Sequence, residues 1–145
     1  MNLMSVITMP GARAYPPRMT CFNASFWQSL EEGKFTTTCC NTCGEATFPP
    51  KPICPRCWAL NPSWRRISPL GVIYSYTVVH APPSVFAAEA PYAVGIVDLD
   101  EGLRVALRLI GAPERLAVGA RGAVVTLKYD DGPYFAFLTD GSKPR

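Results

Sequence analysis

A mainly β protein is predicted, with one helix and a four-cysteine ribbon ahead of a small closed barrel of five strands. Three observations predict it. Cys40-Asn41-Thr42-Cys43-Gly44 and Cys54-Pro55-Arg56-Cys57 form two Cys-x-x-Cys pairs with ten residues between them. From Gly71 onward, short runs of alternating apolar residues are separated by turn residues. The 15 prolines and 11 glycines fall largely between such runs, as in a turn-rich β protein rather than a disordered one.

The cysteines come first because they carry the clearest chemistry. A tight turn puts both sulfurs of a Cys-x-x-Cys pair on one side of the backbone. Two such turns, brought together by a hairpin over Glu45–Ile53, supply four thiolates. Four thiolates in a tetrahedron suit zinc at roughly 2.3 Å per bond. Gly44 supplies positive φ for the first turn and Pro55 presets φ in the second. A rubredoxin-like iron centre uses the same ligands, and tetrahedral sulfur serves either metal; zinc is the expectation. Disulfides would need an oxidising compartment, and a redox pair would need a βαβ setting. With Cys40, Cys43, Cys54 and Cys57 filling all four positions, the metal is structural. Cys21 and Cys39 are read as ordinary thiols.

Ahead of the ribbon, residues 1–21 have no clear period and include Pro10-Gly11 and Pro16-Pro17. They are expected to form an extended arm, either a loose tail or an arm ordered against a partner. Residues 22–69 are expected to form the helix and ribbon. Asn23 suits an N-cap, Phe22 and Trp27 a hydrophobic staple, and Gly33 a stop. Phe26 and Leu30 share a face. Phe22, Phe26, Trp27 and Leu30 are candidate anchors into a partner, where buried aromatics carry much binding energy. Lys34–Cys39 should be a strand entering the first turn, Ala46–Phe48 the way out, and Ser63–Ile67 the return.

Residues 70–140 are expected to form the barrel. Gly71–Val79 is a strand with Val72, Tyr74, Tyr76 and Val78 on one face. His80–Ala90 is a loop, Tyr92–Asp98 a strand and Asp100–Gly102 a turn. Arg104–Ile110 places Val105, Leu107 and Leu109 on one face, opposite Arg104 and Arg108. Glu114–Leu116 forms a helical turn. Ala123–Tyr129 and Tyr134–Leu138 form a hairpin about Asp130-Asp131-Gly132-Pro133, before a polar tail. Five strands in about 70 residues fit a closed barrel of the OB type.

Charge adds little. The formal net charge is +3, falling to about +1 once zinc sits on four thiolates. There is no long basic run and no stretch of 18 apolar residues, which argues against a nucleic-acid footprint and a membrane span. Met1–Pro10 lacks the basic n-region of a signal peptide, so a reduced cytoplasm is expected. His80 stands at a strand end with no nucleophile tied to it by motif. Asp98, Asp100 and Glu101 lie at a hydrophilic turn and read as solvated. No residue is marked as catalytic. Arg104 and Arg108 are candidates for holding a ligand's phosphate.

The order of parts resembles the DUF35 family of zinc-ribbon and OB-fold proteins. The resemblance rests on Phe26-Trp27-x-x-Leu30-x-x-Gly33, the two cysteine turns, Phe48-Pro49-Pro50, the strand from Gly71 to His80, Pro91-Tyr92-Ala93-Val94 and Leu99-Asp100-Glu101-Gly102. It spans about residues 22–138. Trp58 and Cys39 are unusual beside the pattern. The resemblance implies an accessory subunit to thiolase-like or hydratase enzymes of acyl substrates. Within the family the chain is most similar to the small subunits of bacterial phloroglucinol C-acetyltransferases. That implies thiolase-like and ketoacyl-synthase-like partners in a hetero-oligomer. An independent acyl-CoA-binding protein and a single-strand-binding OB module are the competing readings.

Overall fold

The computed structural model describes residues 4–140. The polar tail after residue 140 and the start of the arm lie outside the described residues. Strand β1 (Val6–Thr8) comes first, then helix α1 (Ala24–Glu31). The ribbon strands follow: β2 (Thr36–Cys39), β3 (Ala46–Thr47) and β4 (Ser63–Arg66). The remaining strands are β5 (Leu70–Val79), β6 (Tyr92–Leu99), β7 (Arg104–Ile110), β8 (Arg121–Tyr129) and β9 (Gly132–Thr139).

The ribbon is a three-stranded sheet in the order β3-β2-β4. Strands β5 to β9 form the barrel. Its sheet runs β8-β5-β6-β7-β9, and a further β8–β9 pairing closes it. The β7–β9 contact is parallel, with Leu109 opposite Phe137. Closure brings β8 and β9 so near that a Cβ on Gly122 would lie 2.2 Å from the Leu138 carbonyl oxygen; only glycine fits there. Val105, Leu107 and Leu109 all face the core, as the alternation requires.

One core runs through helix, ribbon and barrel. Phe26, Leu30, Phe35 and Ile67 pack in the same buried cluster as Ile73, Val97, Val105, Val124 and Phe137. The Thr126 hydroxyl donates to the Leu30 carbonyl oxygen at 2.8 Å. This gives the helix-end carbonyl a second donor beside the Gly33 amide at 2.9 Å and ties helix to barrel.

Several expectations need correction. Where it is described, the arm is not a loose tail but is ordered within its own chain: β1 pairs in parallel with β8, Val6 opposite Thr126. Strand β5 covers only Arg121–Ala123 of β8, and β1 fills part of the edge left beyond it. Arg13 then fastens the arm to the β8–β9 turn, its Nη2 donating to the Asp131 carbonyl at 2.7 Å. Asn23 does not cap the helix forward. Its Oδ1 accepts from the Thr20 amide at 2.7 Å and its Nδ2 donates to the Arg18 carbonyl. The staple is also absent: the Phe22 ring lies 5.3 Å from Trp64, and Trp27 stacks 5.8 Å from Tyr134.

Within β5, a bulge at Tyr74 sets Ile73 opposite Val97 but Ser75 opposite Ile96. The face shared by Val72, Tyr74, Tyr76 and Val78 is therefore broken. Tyr76 and Val78, opposite Gly95 and Ala93, lie on the side of Ile73. The loop after β5 contains a short 3-10 helix, Ser84–Glu89, entered through a Phe86 amide bond to the Pro83 carbonyl. Strands β8 and β9 begin two residues earlier than expected, and the hairpin tightens accordingly.

Candidate metal centre

The two cysteine turns are built alike. The Cys40 amide donates to Glu45 and the Gly44 amide returns to the Cys40 carbonyl at 3.1 Å. In the second turn, the Cys54 amide donates to Ala59 and the Trp58 amide returns to the Cys54 carbonyl at 2.9 Å. The Thr38 hydroxyl fixes the intervening loop, accepting from the Lys51 amide at 2.9 Å and donating to its carbonyl at 3.2 Å. A bridge between Ile53 and Leu60 closes the second turn. Asn41 links the turns, its Nδ2 donating to the Asn61 carbonyl at 2.9 Å.

The four sulfurs of Cys40, Cys43, Cys54 and Cys57 all lie within 4.8 Å of one another. The Cys40–Cys57 and Cys43–Cys54 separations are 3.5 and 3.6 Å. A tetrahedron with metal–sulfur bonds of about 2.3 Å has sulfur–sulfur edges of about 3.8 Å, so the cluster fits a zinc ion. Cys39 takes no part: its Sγ faces the Gly44 carbonyl at 3.4 Å. Cys21 is exposed elsewhere.

Backbone amides prepare the site electrically. The amides of Cys43 and Thr42 donate to the Cys40 sulfur and hold its thiol down at about 6. The Cys57 amide lowers Cys54 in the same way, against burial, with Arg56 adding. At Cys43 the Glu45 amide favours the thiolate, but burial and the surrounding sulfurs outweigh it and push the thiol up to about 12. Cys57 is also raised, with the Ala59 amide outweighed by the Cys40 sulfur and burial. In each turn the first cysteine is shifted toward the thiolate and the second toward the thiol, so protons leave when metal arrives.

The other predicted residues do not gather there. Phe26 and Leu30 are buried, with Leu30 0% exposed. They cannot anchor a partner, because their face is already spent on the barrel. Trp27 packs partly against the same cluster. Arg104 donates to both oxygens of Asp98, at 2.6 and 3.1 Å, and lies over the Tyr74 ring. Arg121 grips Asp100 in the same two-pronged way. Both carboxyls are thereby held below the ordinary carboxylate range, the guanidinium hydrogen bonds outweighing burial. His80 is exposed at the end of β5.

Arg108 does line a cavity, a groove of about 640 Å³ along the barrel wall with Tyr76, Tyr92, Tyr129, Phe135 and Arg13. Its Nη1 donates to Glu89 at 2.9 Å, and its guanidinium lies 4.2 Å over the Tyr92 ring. Burial, followed by the Glu89 charge, pushes the Tyr129 phenol up. Among the described residues, none of the four cysteines lines this groove. Sequence reading missed Glu89 and Arg13 as parts of its wall. The first sits in an alanine-rich loop and the second in the arm, with no local pattern to mark either.

In the comparisons with known proteins, two family models match the chain in succession. Residues 27–63 match the family described as "ChsH2, rubredoxin-like zinc ribbon domain". Residues 64–127 match "ChsH2, C-terminal OB-fold domain". A DUF35 domain-containing scaffold protein of Methanocaldococcus jannaschii is 31% identical over 106 residues, covering 72% of this chain and 75% of the relative. A probable enoyl-CoA hydratase alpha subunit of Thermomonospora curvata is 32% identical over 111 residues, 76% of this chain but 34% of the relative. The benzoylsuccinyl-CoA thiolase subunit BbsA of Thauera aromatica is 35% identical over 78 residues, 51% of this chain and 50% of the relative. The chain thus spans about a third of the hydratase subunit and half of BbsA. Among solved structures, an Ltp2-ChsH2(DUF35) aldolase matches with a TM-score of 0.74 and 29% identity, covering 86% of this chain and 98% of that one. The chain belongs to the DUF35 family, with a rubredoxin-like zinc ribbon ahead of an OB-fold barrel.

Proposed function

We propose that this chain is a non-catalytic, zinc-braced subunit that organises thiolase-like and ketoacyl-synthase-like partners in an acyltransferase assembly. One observation carries the reading. The four sulfurs close on one another as a complete coordination shell, with no position kept for water or substrate, and the large groove lies elsewhere. The zinc, when bound, supplies cohesion rather than chemistry. The chain's own residues bind and position neighbours, and no residue here is assigned catalysis.

Related proteins named as a scaffold, a hydratase subunit and a thiolase subunit support an acyl-group setting. The acceptor we infer is a phenolic such as a phloroglucinol, whose ring carbon would take an acetyl group from a thioester on a partner's reactive cysteine, the ring proton leaving and the thiol being released. Residues 1–21, 22–69 and 70–140 act on this reading as arm, ribbon unit and barrel. We place the protein in the cytoplasm, where its six cysteines stay reduced. No helix among the described residues is long and apolar enough to cross a membrane.

The groove beside Arg108 favours a second reading, an independent acyl-CoA-binding protein. Against it, Arg108 and Arg104 are already matched by Glu89 and Asp98, which blunts their pull on a phosphate. Purification of the native complex separates the two. Co-elution with a thiolase-type chain, and acyl transfer only by the assembly, is expected. Tight CoA binding by the isolated chain, without such a companion, would favour the second reading.

A further inference from the structure

The two cysteine turns share one backbone and part company at the residue that follows the second cysteine. After Cys43 stands Gly44, with φ at 79°. After Cys57 stands Trp58, with φ at 66°. Glycine takes this left-handed conformation readily, whereas a bulky side chain takes it only at a steric cost. Strained backbone of this kind persists where the surroundings impose it and tends to mark functional sites. Trp58 gains little burial inside its own chain in return, since it is 78% exposed.

Trp58 is not isolated. Leu60 is 66% exposed and Ile53 44%, and the two are bridged across the same turn. Three large apolar side chains therefore stand outward on one eight-residue loop that the metal and the Cys54–Ala59 bond make rigid. The charge of the ribbon as a whole is one-sided. From Thr36 to Arg66 the sequence carries Lys51, Arg56, Arg65 and Arg66 against the single acid Glu45. Glu45 itself bonds Arg56 at 3.3 Å.

We propose that Trp58, with Ile53 and Leu60, is a rigid docking knob that seats in an apolar pocket bordered by carboxylates on the thiolase-type partner subunit. This rests on the assembly reading above. It moves the anchor from helix α1, whose apolar face is buried, to the outer end of the ribbon. Tryptophan suits the role, since it is enriched among residues whose truncation costs most binding. A basic rim facing acids adds rate and register. A nucleic-acid strand is the poorer fit. Base stacking wants several parallel rings, whereas Trp58 has aliphatic neighbours.

Glycine at position 58 makes the test clean, because Trp58→Gly removes the knob and relieves the backbone together. Binding of the wild-type chain and of Trp58→Gly to the purified thiolase-type subunit should be measured at two salt concentrations, with zinc content and melting temperature recorded. The variant should keep its zinc, melt no lower, and bind at least tenfold more weakly. Wild-type affinity should fall as salt rises. Leu60→Ser, which leaves the left-handed residue alone, should weaken binding in the same direction. Equal binding by both variants would overturn the docking knob while leaving the assembly reading intact. No binding by the wild-type chain would overturn both. Preferential, Trp58-dependent binding of oligo(dT) over the subunit would replace the protein partner by a nucleic acid.

Discussion

At the scale of single residues, the cysteines decide the account. Cys40→Ser should drop bound zinc from one per chain to near none and abolish the ribbon's strands. Metal analysis and circular dichroism check both, and full zinc retention would reject the ligand set. The thiol values make a finer prediction. With Cys40 held at about 6, one ligand is already largely ionised near neutral pH, so zinc uptake there should release fewer than four protons. An indicator-dye titration reads this, and four protons would contradict it. The depressed Cys40 value favours the folded metal-free turn above the ordinary thiol value of 9.0, and that contribution is lost as pH falls toward about 6. The ligands were legible because their spacing is a local property. Asn23 and Phe22 were misread because their partners, Thr20 behind and Trp64 across the ribbon, compete with the local cap and staple.

At the scale of elements, two contacts hold the parts together. Thr126→Val keeps the shape of the side chain but removes one of the two donors to the Leu30 carbonyl, leaving the Gly33 amide at 2.9 Å. Unfolding by denaturant should show a loss of about 0.5–1.5 kcal/mol, the net worth of one hydrogen bond, with zinc content unchanged. The arm depends on Asp131, which accepts from the Arg13 amide at 2.9 Å and is held below the ordinary carboxylate range chiefly by that bond. Its lowered value means the latch is complete above the ordinary carboxylate pKa and is lost as pH falls below it. Asp131→Asn at neutral pH should likewise speed hydrogen exchange at the Met9 amide, which bonds the Lys128 carbonyl at 2.8 Å. Unchanged protection there would show that β1 holds without the latch. Strand β7 was readable because alternation follows from the pleat. Strand β1 was not. Three residues have too little period to announce themselves, and their partner lies more than a hundred positions away in β8. The bulge at Tyr74 was equally hidden, since it is set by β6 and not by β5's own pattern.

At the scale of the whole molecule, ribbon, helix and barrel share one buried cluster, so the metal braces more than its own loop. The zinc-binding energy of small metal domains, on the order of 10–16 kcal/mol, is comparable with the stability of an entire domain. A rigid body of this kind can hold large neighbours in register without touching their reacting atoms. What it would offer them is surface: the ribbon's outward Trp58 and the groove beside Arg108. Exposure of this sort was beyond sequence reading, because burial of the helix's aromatics depends on a barrel that forms later in the chain. The central claim is that the metal has no open position. X-ray absorption at the zinc edge, on the chain alone and then in its assembly with acyl substrate present, measures this directly. The account predicts four sulfur neighbours at about 2.3 Å in both states. An oxygen or nitrogen neighbour in either state, or loss of a sulfur when substrate is added, would contradict it.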